Sequence, residues 1–120
     1  MSYARQALGK YGEDLACREL ERRGYAIVAR RYRCPDGEID IIARDGEMLV
    51  FVEVKARQDD AFGGGADAVT ACKRQRIVQV AHDYLTRRHR GDCRCRFDVV
   101  SIQFAGGAPV VELFQNAFDA

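Results

Sequence analysis

The sequence lacks a long apolar segment. Its longest apolar run, Met48-Leu-Val-Phe-Val52, falls far short of the roughly 20 residues that a membrane-spanning helix requires. The first residues contain no apolar core of the kind found in secretory signal peptides, and charges follow at Lys10, Glu13 and Asp14. These absences predict a cytoplasmic protein that does not enter a membrane.

The chain also lacks the pattern of a disulfide framework or of a zinc site. Its five cysteines form an odd set with no secretion signal, so reduced thiols are expected. Cys93-Arg-Cys95 is spaced more closely than the usual zinc-binding pairs. The two histidines, His82 and His89, have no partners at matching spacing. A zinc site is therefore not predicted.

Net charge is nearly absent, because 19 basic and 18 acidic residues give a formal charge of +1. The charges are nevertheless unevenly distributed. Basic residues are concentrated between Lys73 and Arg96 and in Arg30-Arg31-Tyr32-Arg33, whereas residues 36–60 are net acidic. A protein with segregated charges can bind a polyanion with one surface and a metal with another. Arginine-rich helices that are merely solvated give the same pattern.

The pattern of apolar residues predicts a single α/β domain over residues 1–120, a length typical of one hydrophobic core. The predicted order is α-β-β-β-α-β-β, which describes a mixed β-sheet flanked by helices. The predicted helices span residues 4–23 and 67–88, and a mobile loop with three glycines spans residues 57–66. The predicted strands span residues 25–29, 96–104 and 110–114, together with a hairpin between Glu38 and Lys55.

That hairpin is the most informative part of the sequence. Asp45-Gly46 between two β-branched runs predicts a tight two-residue turn. With those residues as the turn, Glu38 lies opposite Glu53, and Asp40 is a diagonal neighbour of Glu53 at about 7 Å. The alternation of side chains then divides the hairpin into two faces. One face carries Ile39, Ile41, Val50, Val52 and Val54, and the other carries Glu38, Asp40, Ile42, Leu49, Phe51, Glu53 and Lys55.

The apolar residues on both faces predict that the hairpin is covered on both sides. The charged end of the second face predicts a divalent-cation site. Two carboxylates this close repel each other unless positive charge lies between them, and Lys55 offsets only part of that repulsion. Hard oxygen ligands with open positions favour Mg²⁺ or Mn²⁺, which in turn favour phosphate substrates. Lys55 is suited to orient an attacking water or to stabilise the charge of a pentavalent phosphate. A salt-bridged charge cluster without catalysis is the alternative.

Glu53-Val54-Lys55, with Asp40 on the preceding strand and Glu13 on the first helix, resembles the PD-(D/E)XK, or restriction endonuclease-like, superfamily. More closely, the chain is similar to the YraN family of uncharacterised bacterial endonuclease-like proteins. The matching stretches extend over nearly the whole chain and include Gly9-Lys-Tyr-Gly-Glu13, Gly37-Glu-Ile-Asp40, Phe51-Val-Glu-Val-Lys-Ala-Arg57 and Arg96-Phe-Asp-Val-Val100.

The resemblance implies a restriction endonuclease-like fold and a role for each matching residue. Asp40 would be the central metal ligand, Glu53 the second ligand and Lys55 the catalytic lysine. Glu13 would reach the metal directly or through water. The helix after the triplet would supply a further polar residue, Lys73 or Gln75. Archaeal Holliday junction resolvases have a similar order of secondary-structure elements. They are homodimers that act on branched DNA.

Two positions depart from these patterns. Ile39 precedes Asp40 where the superfamily is named for a proline. Arg31 stands where the YraN-type pattern has an asparagine, so the role of that asparagine does not transfer to this chain.

The resulting expectation is a Mg²⁺- or Mn²⁺-dependent endonuclease that hydrolyses DNA, with branched or damaged DNA as candidate substrates. The residues expected to contact nucleic acid are Lys73, Arg74, Gln75, Arg76, Arg31 and Arg33. Two alternatives stay open: a non-catalytic nucleic-acid-binding module on the same fold, and a protein-interaction role that uses the apolar strand from Val110 to Phe114 and the tail Ala117-Phe118. A homodimer is compatible with that strand, and two sites would suit a cut in two DNA strands.

Overall fold

The structure, a computed structural model, describes residues 3–57, 70–88, 93–104 and 107–119, with side chains from Gly9 onward. Most of the loop predicted over residues 57–66 lies outside the described residues, as do residues 67–69 of the second predicted helix. The elements are α1 (Tyr3–Arg22), β1 (Ala26–Cys34), β2 (Gly37–Asp45), β3 (Met48–Arg57), α2 (Ala71–Arg87), β4 (Cys95–Gln103) and β5 (Val110–Phe118). The predicted α/β fold class and the order of elements are therefore confirmed.

The five strands form one mixed sheet in the order β1-β2-β3-β4-β5. Strands β3 and β4 are parallel, and the other neighbouring pairs are antiparallel. A parallel pair needs a crossover connection, which contains α2 here. Helix α1 packs on one face of the sheet and α2 on the other. Both faces of the β2–β3 hairpin are therefore covered, as the sequence predicted.

Helix α1 approaches the sheet closely at Gly12. A Cβ atom added there would lie 3.2 Å from Cβ of Ala56 and 3.7 Å from Cδ1 of Ile102, which is tighter than most side-chain contacts. The absence of a side chain thus lets α1 lie against β3 and β4. The next residue, Glu13, is thereby held against the same end of the sheet.

The contact at Gly12 predicts a specific loss of stability. Because Gly12→Val would overpack the helix–sheet interface, we expect it to reduce the free energy of unfolding by about 1–3 kcal/mol. Gly9→Val is the matched control, since a Cβ at Gly9 meets nothing within 4 Å. Urea denaturation of both variants measures the difference. Equal stabilities would show that α1 does not depend on close packing at Gly12.

The register of the hairpin differs from the prediction by two residues. Asp45 pairs with Met48, so the turn is Gly46-Glu47 and not Asp45-Gly46. Gly46 has a φ of 64° and occupies the first turn position, where two-residue type II′ hairpins place glycine. Ile41 and Val52 are the last registered pair. Asp40 and Glu53 are the next residues beyond it, and their side chains lie close together. The predicted pairing of Glu38 with Glu53 and the diagonal placement of Asp40 are wrong.

The side chains of β2 do not alternate regularly. Ile39 packs with Ile42 in the cluster under α2, whereas the prediction placed it on the same face as Ile41, which packs under α1. Arg31, the β1 residue opposite Asp40, has a φ of 54°, in the left-handed region that non-glycine residues rarely adopt. This irregularity interrupts the alternation at Asp40 and places Ile39 on the α2 side.

The remaining differences are in strand length. Strand β1 continues to Cys34 and β5 to Phe118, whereas the sequence predicted ends at Ala29 and Phe114. Both are edge strands, with one edge facing solvent. The second half of each is polar, so it lacks the apolar alternation from which a strand is predicted. Within the described residues, neither helix has the length and apolar character needed to cross a bilayer.

Candidate metal and phosphate site

A cleft of 610 Å³ lies at the open end of the β2–β3 hairpin, away from its turn, and is lined by residues of α1 and of the start of α2. Its walls carry both acidic and basic side chains from five different elements. Glu53 makes an ion pair with Lys73 of the cleft and is buried, with 5% of its surface exposed. The cleft is lined by Gly9, Glu13, Arg31, Arg33, Glu38, Asp40, Val54, Lys55, Ala56 and Lys73.

Asp40 and Glu53 form an acidic pair at this end of the hairpin. The backbone N–H of Val54 donates a hydrogen bond to Oδ2 of Asp40 at 2.8 Å. Burial, together with the neighbouring Glu53 carboxylate, raises the pKa of Asp40 to about 8, although the Val54 N–H opposes this shift. Asp40 is therefore protonated at neutral pH when no cation is bound.

Two lysines lie beside the acidic pair. Lys73, in the first turn of α2, makes an ion pair with Oε2 of Glu53, and its backbone N–H donates to the capping hydroxyl of Thr70 at 3.2 Å. Lys55 lines the cleft two residues beyond Glu53. Burial lowers the pKa of the Lys55 ammonium, and the nearby charge of Lys73 lowers it further. Lys55 therefore sits in a site that already contains positive charge.

Glu13 is buried, with 6% of its surface exposed, and is bound by two arginines. Nε of Arg30 donates to Oε1 of Glu13 at 2.7 Å, and Nε of Arg31 donates to Oε2 at 3.0 Å. Arg30 also donates through Nη2 to Oδ1 of Asp14 at 2.6 Å. Both oxygens of Glu13 are therefore engaged by guanidinium groups at the wall of the cleft.

The three acids assigned to the metal by resemblance thus occupy two different environments. Asp40 and Glu53 lie together, whereas Glu13 is held within a separate arginine cluster. Among the residues that the structure describes, no group of three or more His, Cys, Asp or Glu side chains is arranged to hold one metal ion. The donor chemistry of Asp40 and Glu53 nevertheless suits a divalent cation, because such an ion would replace the proton on Asp40 and relieve the repulsion between the carboxylates.

The four α2 residues expected to contact nucleic acid lie on two different sides of the helix. Lys73 lines the cleft, and the stem of Arg76 lies close to Gly37, 3.1 Å from where a Cβ would be. Arg74 and Gln75 instead line a separate pocket of 490 Å³. Successive helical residues point about 100° apart, so these four neighbours cannot all face one cleft.

On β1, the arginines expected to contact nucleic acid do line the cleft. Arg31 is bonded to Glu13 as described, and Arg33 lies 3.4 Å from Glu38 in an exposed ion pair. Arg30, which was not among the predicted site residues, anchors Glu13 from the other side. The run of arginines in β1 could have indicated Arg30 as a site residue. Nothing in the sequence indicates the hydrogen bond from the Val54 N–H to Asp40.

A second buried polar cluster, missed by sequence reasoning, surrounds Asp98 on the α1 side of the sheet. Asp98 is fully buried and accepts hydrogen bonds from Nε of Arg96 at 2.9 Å, from Oη of Tyr25 at 3.1 Å and from the backbone N–H of Asn116 at 2.9 Å. Among the described residues, every buried side-chain nitrogen and oxygen has a partner. This satisfied network joins β4 and β5 to the start of β1 and is structural.

Comparisons with known proteins agree on one family. A family model described as "Uncharacterised protein family UPF0102" matches residues 12–102. A UPF0102 protein of Geobacter metallireducens is 45% identical over 119 residues, covering 99% of this chain and 98% of the relative. One from Desulfosudis oleivorans is 47% identical over 116 residues, covering 97% and 93%. One from Pelotomaculum thermopropionicum is 39% identical over 120 residues, covering 98% and 100%. None of these names states a function.

Proposed function

The chain belongs to the uncharacterised UPF0102 family, and we propose that it is a metal-dependent nuclease that hydrolyses phosphodiester bonds in DNA. UPF0102 is the YraN family that the sequence resembles. Placement in the PD-(D/E)XK superfamily is part of the proposal. The observation that carries it is the acidic pair of Asp40 and Glu53, beside a cleft whose walls bear Lys55, Lys73 and Arg31.

In this proposal, Asp40 and Glu53 hold Mg²⁺ or Mn²⁺. The bound cation would polarise a phosphoryl oxygen and offset the charge that develops on the phosphate. Because Asp40 is protonated at neutral pH when no cation is bound, it would give up that proton on cation binding. Cation affinity should therefore rise with pH up to about 8, the pKa of Asp40.

The basic residues of the cleft have separable roles in the proposal. Lys55, next to the acidic pair, orients the attacking water or stabilises the negative charge of the pentavalent phosphate. Lys73 and Arg33 bind phosphates of the substrate strand, which positions it without reading its sequence. Branched or damaged DNA remains the candidate substrate that the resemblance suggests.

One observation favours the second candidate function, a non-catalytic nucleic-acid-binding module. Lys73 already makes an ion pair with Glu53, so part of the countercharge is present without a metal. In a binding module this ion pair would persist, and the cleft would serve only to hold phosphates. The two functions therefore differ in whether a divalent cation displaces Lys73 from Glu53.

A combined binding and cleavage experiment separates the two functions. Mg²⁺ and Mn²⁺ are titrated by calorimetry, and labelled duplex, flap, junction and single-stranded DNAs are incubated with the protein, with and without EDTA. A nuclease should bind the cation and yield product only when the cation is present. DNA binding that survives EDTA, with no product from any substrate in Mg²⁺ or Mn²⁺, would contradict the nuclease and support the binding module.

A further inference from the structure

We propose that Glu13 is a positioning residue for phosphate binding, which holds Arg31 at the wall of the cleft so that Arg31 binds a substrate phosphate independently of the metal. The inference rests on the proposed function for its substrate, a nucleic-acid strand. It gives Glu13 a role different from the metal ligation that the resemblance implies.

The bonding of Glu13 is the first observation. Its carboxylate is 6% exposed and accepts from Arg30 through one oxygen and from Arg31 through the other. A cation bound at Glu13 would have to displace at least one of these charge-assisted hydrogen bonds and would then face two guanidinium groups. With Asp14 included, the cluster is neutral overall, so its charge gives no net attraction for a cation. The exposed guanidinium of Arg31 at the cleft wall suits an anion.

The backbone of Arg31 is the second observation. Consecutive residues of a strand normally point to opposite faces, yet the neighbours Arg30 and Arg31 both reach the same carboxylate. The left-handed φ of 54° at Arg31 accounts for this exception. A non-glycine residue keeps such a conformation only when surrounding contacts hold it, and the hydrogen bond to Glu13 is such a contact.

The donor groups of Arg31 are the third observation. Its bond to Glu13 uses Nε, and its side chain is 47% exposed where it lines the cleft. For its two terminal nitrogens, the structure records no hydrogen bond within the described residues. A guanidinium anchored through Nε retains donors suited to phosphate oxygens. Arg30 differs, because Nη2 of Arg30 is bonded to Asp14.

The test compares Arg31→Ala and Glu13→Gln with wild type, by fluorescence anisotropy of a labelled DNA duplex in EDTA and by calorimetry with Mn²⁺. Arg31→Ala should weaken DNA binding in EDTA about tenfold and reduce its salt dependence by about one phosphate contact. Glu13→Gln should also weaken DNA binding, by severalfold, although it removes a negative charge. Mn²⁺ affinity should stay within twofold of wild type in both variants.

Glu21→Gln is the matched control, because it removes an exposed carboxylate from the same helix. This variant should bind DNA as well as wild type or slightly better, the opposite of Glu13→Gln. In the double variant, the Glu13→Gln change should have no further effect once Arg31 is alanine, which a general loss of structure would not produce.

Two results would overturn the inference. The first is a large loss of Mn²⁺ affinity in Glu13→Gln with unchanged DNA affinity in EDTA, which would make Glu13 a metal ligand. The second is a wild-type protein that binds no DNA in EDTA, which would exclude a metal-independent phosphate site. Neither measurement uses cleavage, so failure of this inference is distinguishable from failure of the proposed nuclease activity.

Discussion

Lys55→Ala should reduce metal-dependent DNA cleavage by on the order of 10³-fold while changing Mn²⁺ and DNA affinities by no more than about twofold. Lys55 is half-buried beside the acidic pair, yet it makes neither of the contacts that hold that pair in place. Its removal should therefore affect the step in which charge develops on the phosphate rather than the ground state. Single-turnover cleavage with saturating enzyme and Mn²⁺ measures this step directly.

The other two lysines of the chain, Lys10 and Lys73, provide the comparison. Lys10→Ala, at an exposed position of α1, should cleave at the wild-type rate. Lys73→Ala removes the ion pair to Glu53 and should alter cation affinity as well as cleavage. If Lys55→Ala cleaves as fast as wild type, Lys55 has no catalytic role and the nuclease proposal loses its main residue.

Asp40→Asn should stabilise the metal-free protein at neutral and alkaline pH while abolishing cleavage. The pKa of Asp40 is raised from 3.8 to about 8, first by burial and then by Glu53. A carboxyl group with a raised pKa in the folded protein stabilises the fold fully below its unfolded pKa. That contribution is lost as the pH rises through the folded pKa. Wild type should therefore lose stability between about pH 4 and pH 8, by at most about 6 kcal/mol for a shift of this size, whereas Asp40→Asn should not.

Thermal unfolding in EDTA between pH 4 and pH 9 measures this difference. Adding Mg²⁺ at pH 8 should restore stability to wild type, because ligand binding to the folded state raises its stability, and should leave Asp40→Asn unchanged. Glu47→Gln, at an exposed turn position of the same hairpin, should retain the wild-type pH profile. Parallel pH profiles for wild type and Asp40→Asn would contradict a buried acidic pair.

Much of the fold could be predicted because apolar periodicity reflects burial directly. The hairpin strands alternate, and α2 repeats its apolar residues at helical spacing, so the order of elements followed. The register could not be predicted, because Asp45-Gly46 and Gly46-Glu47 both have the composition of a hairpin turn. Only the pairing of Asp45 with Met48 in the structure distinguishes them. A two-residue shift preserves the alternation of faces, which is why Asp40 and Glu53 were still expected to be neighbours.

The candidate site was predictable where it depends on local spacing and unpredictable where it depends on tertiary contacts. The triplet from Glu53 to Lys55 is a local pattern. The left-handed conformation of Arg31 is not a local pattern, because nothing in its residue type predicts it. It accompanies a tertiary contact to Glu13, which joins α1 to β1. The separation of Lys73 from Arg74 and Gln75 could have been predicted from helical geometry alone. The ion pair of Lys73 with Glu53 could not, because it depends on how α2 crosses the sheet.

That ion pair also has a consequence for how the chain folds. The β2–β3 hairpin brings two acids together through contacts that are local in sequence, but the ammonium of Lys73 arrives only when the segment leading to the parallel strand β4 docks. Pairing of parallel strands through a crossover is the least local step in forming this sheet, and such steps are slow. An early hairpin therefore carries negative charge that Lys55 offsets only in part. Mild acid should favour formation of this hairpin, and docking of Lys73 late in folding should neutralise the remaining charge.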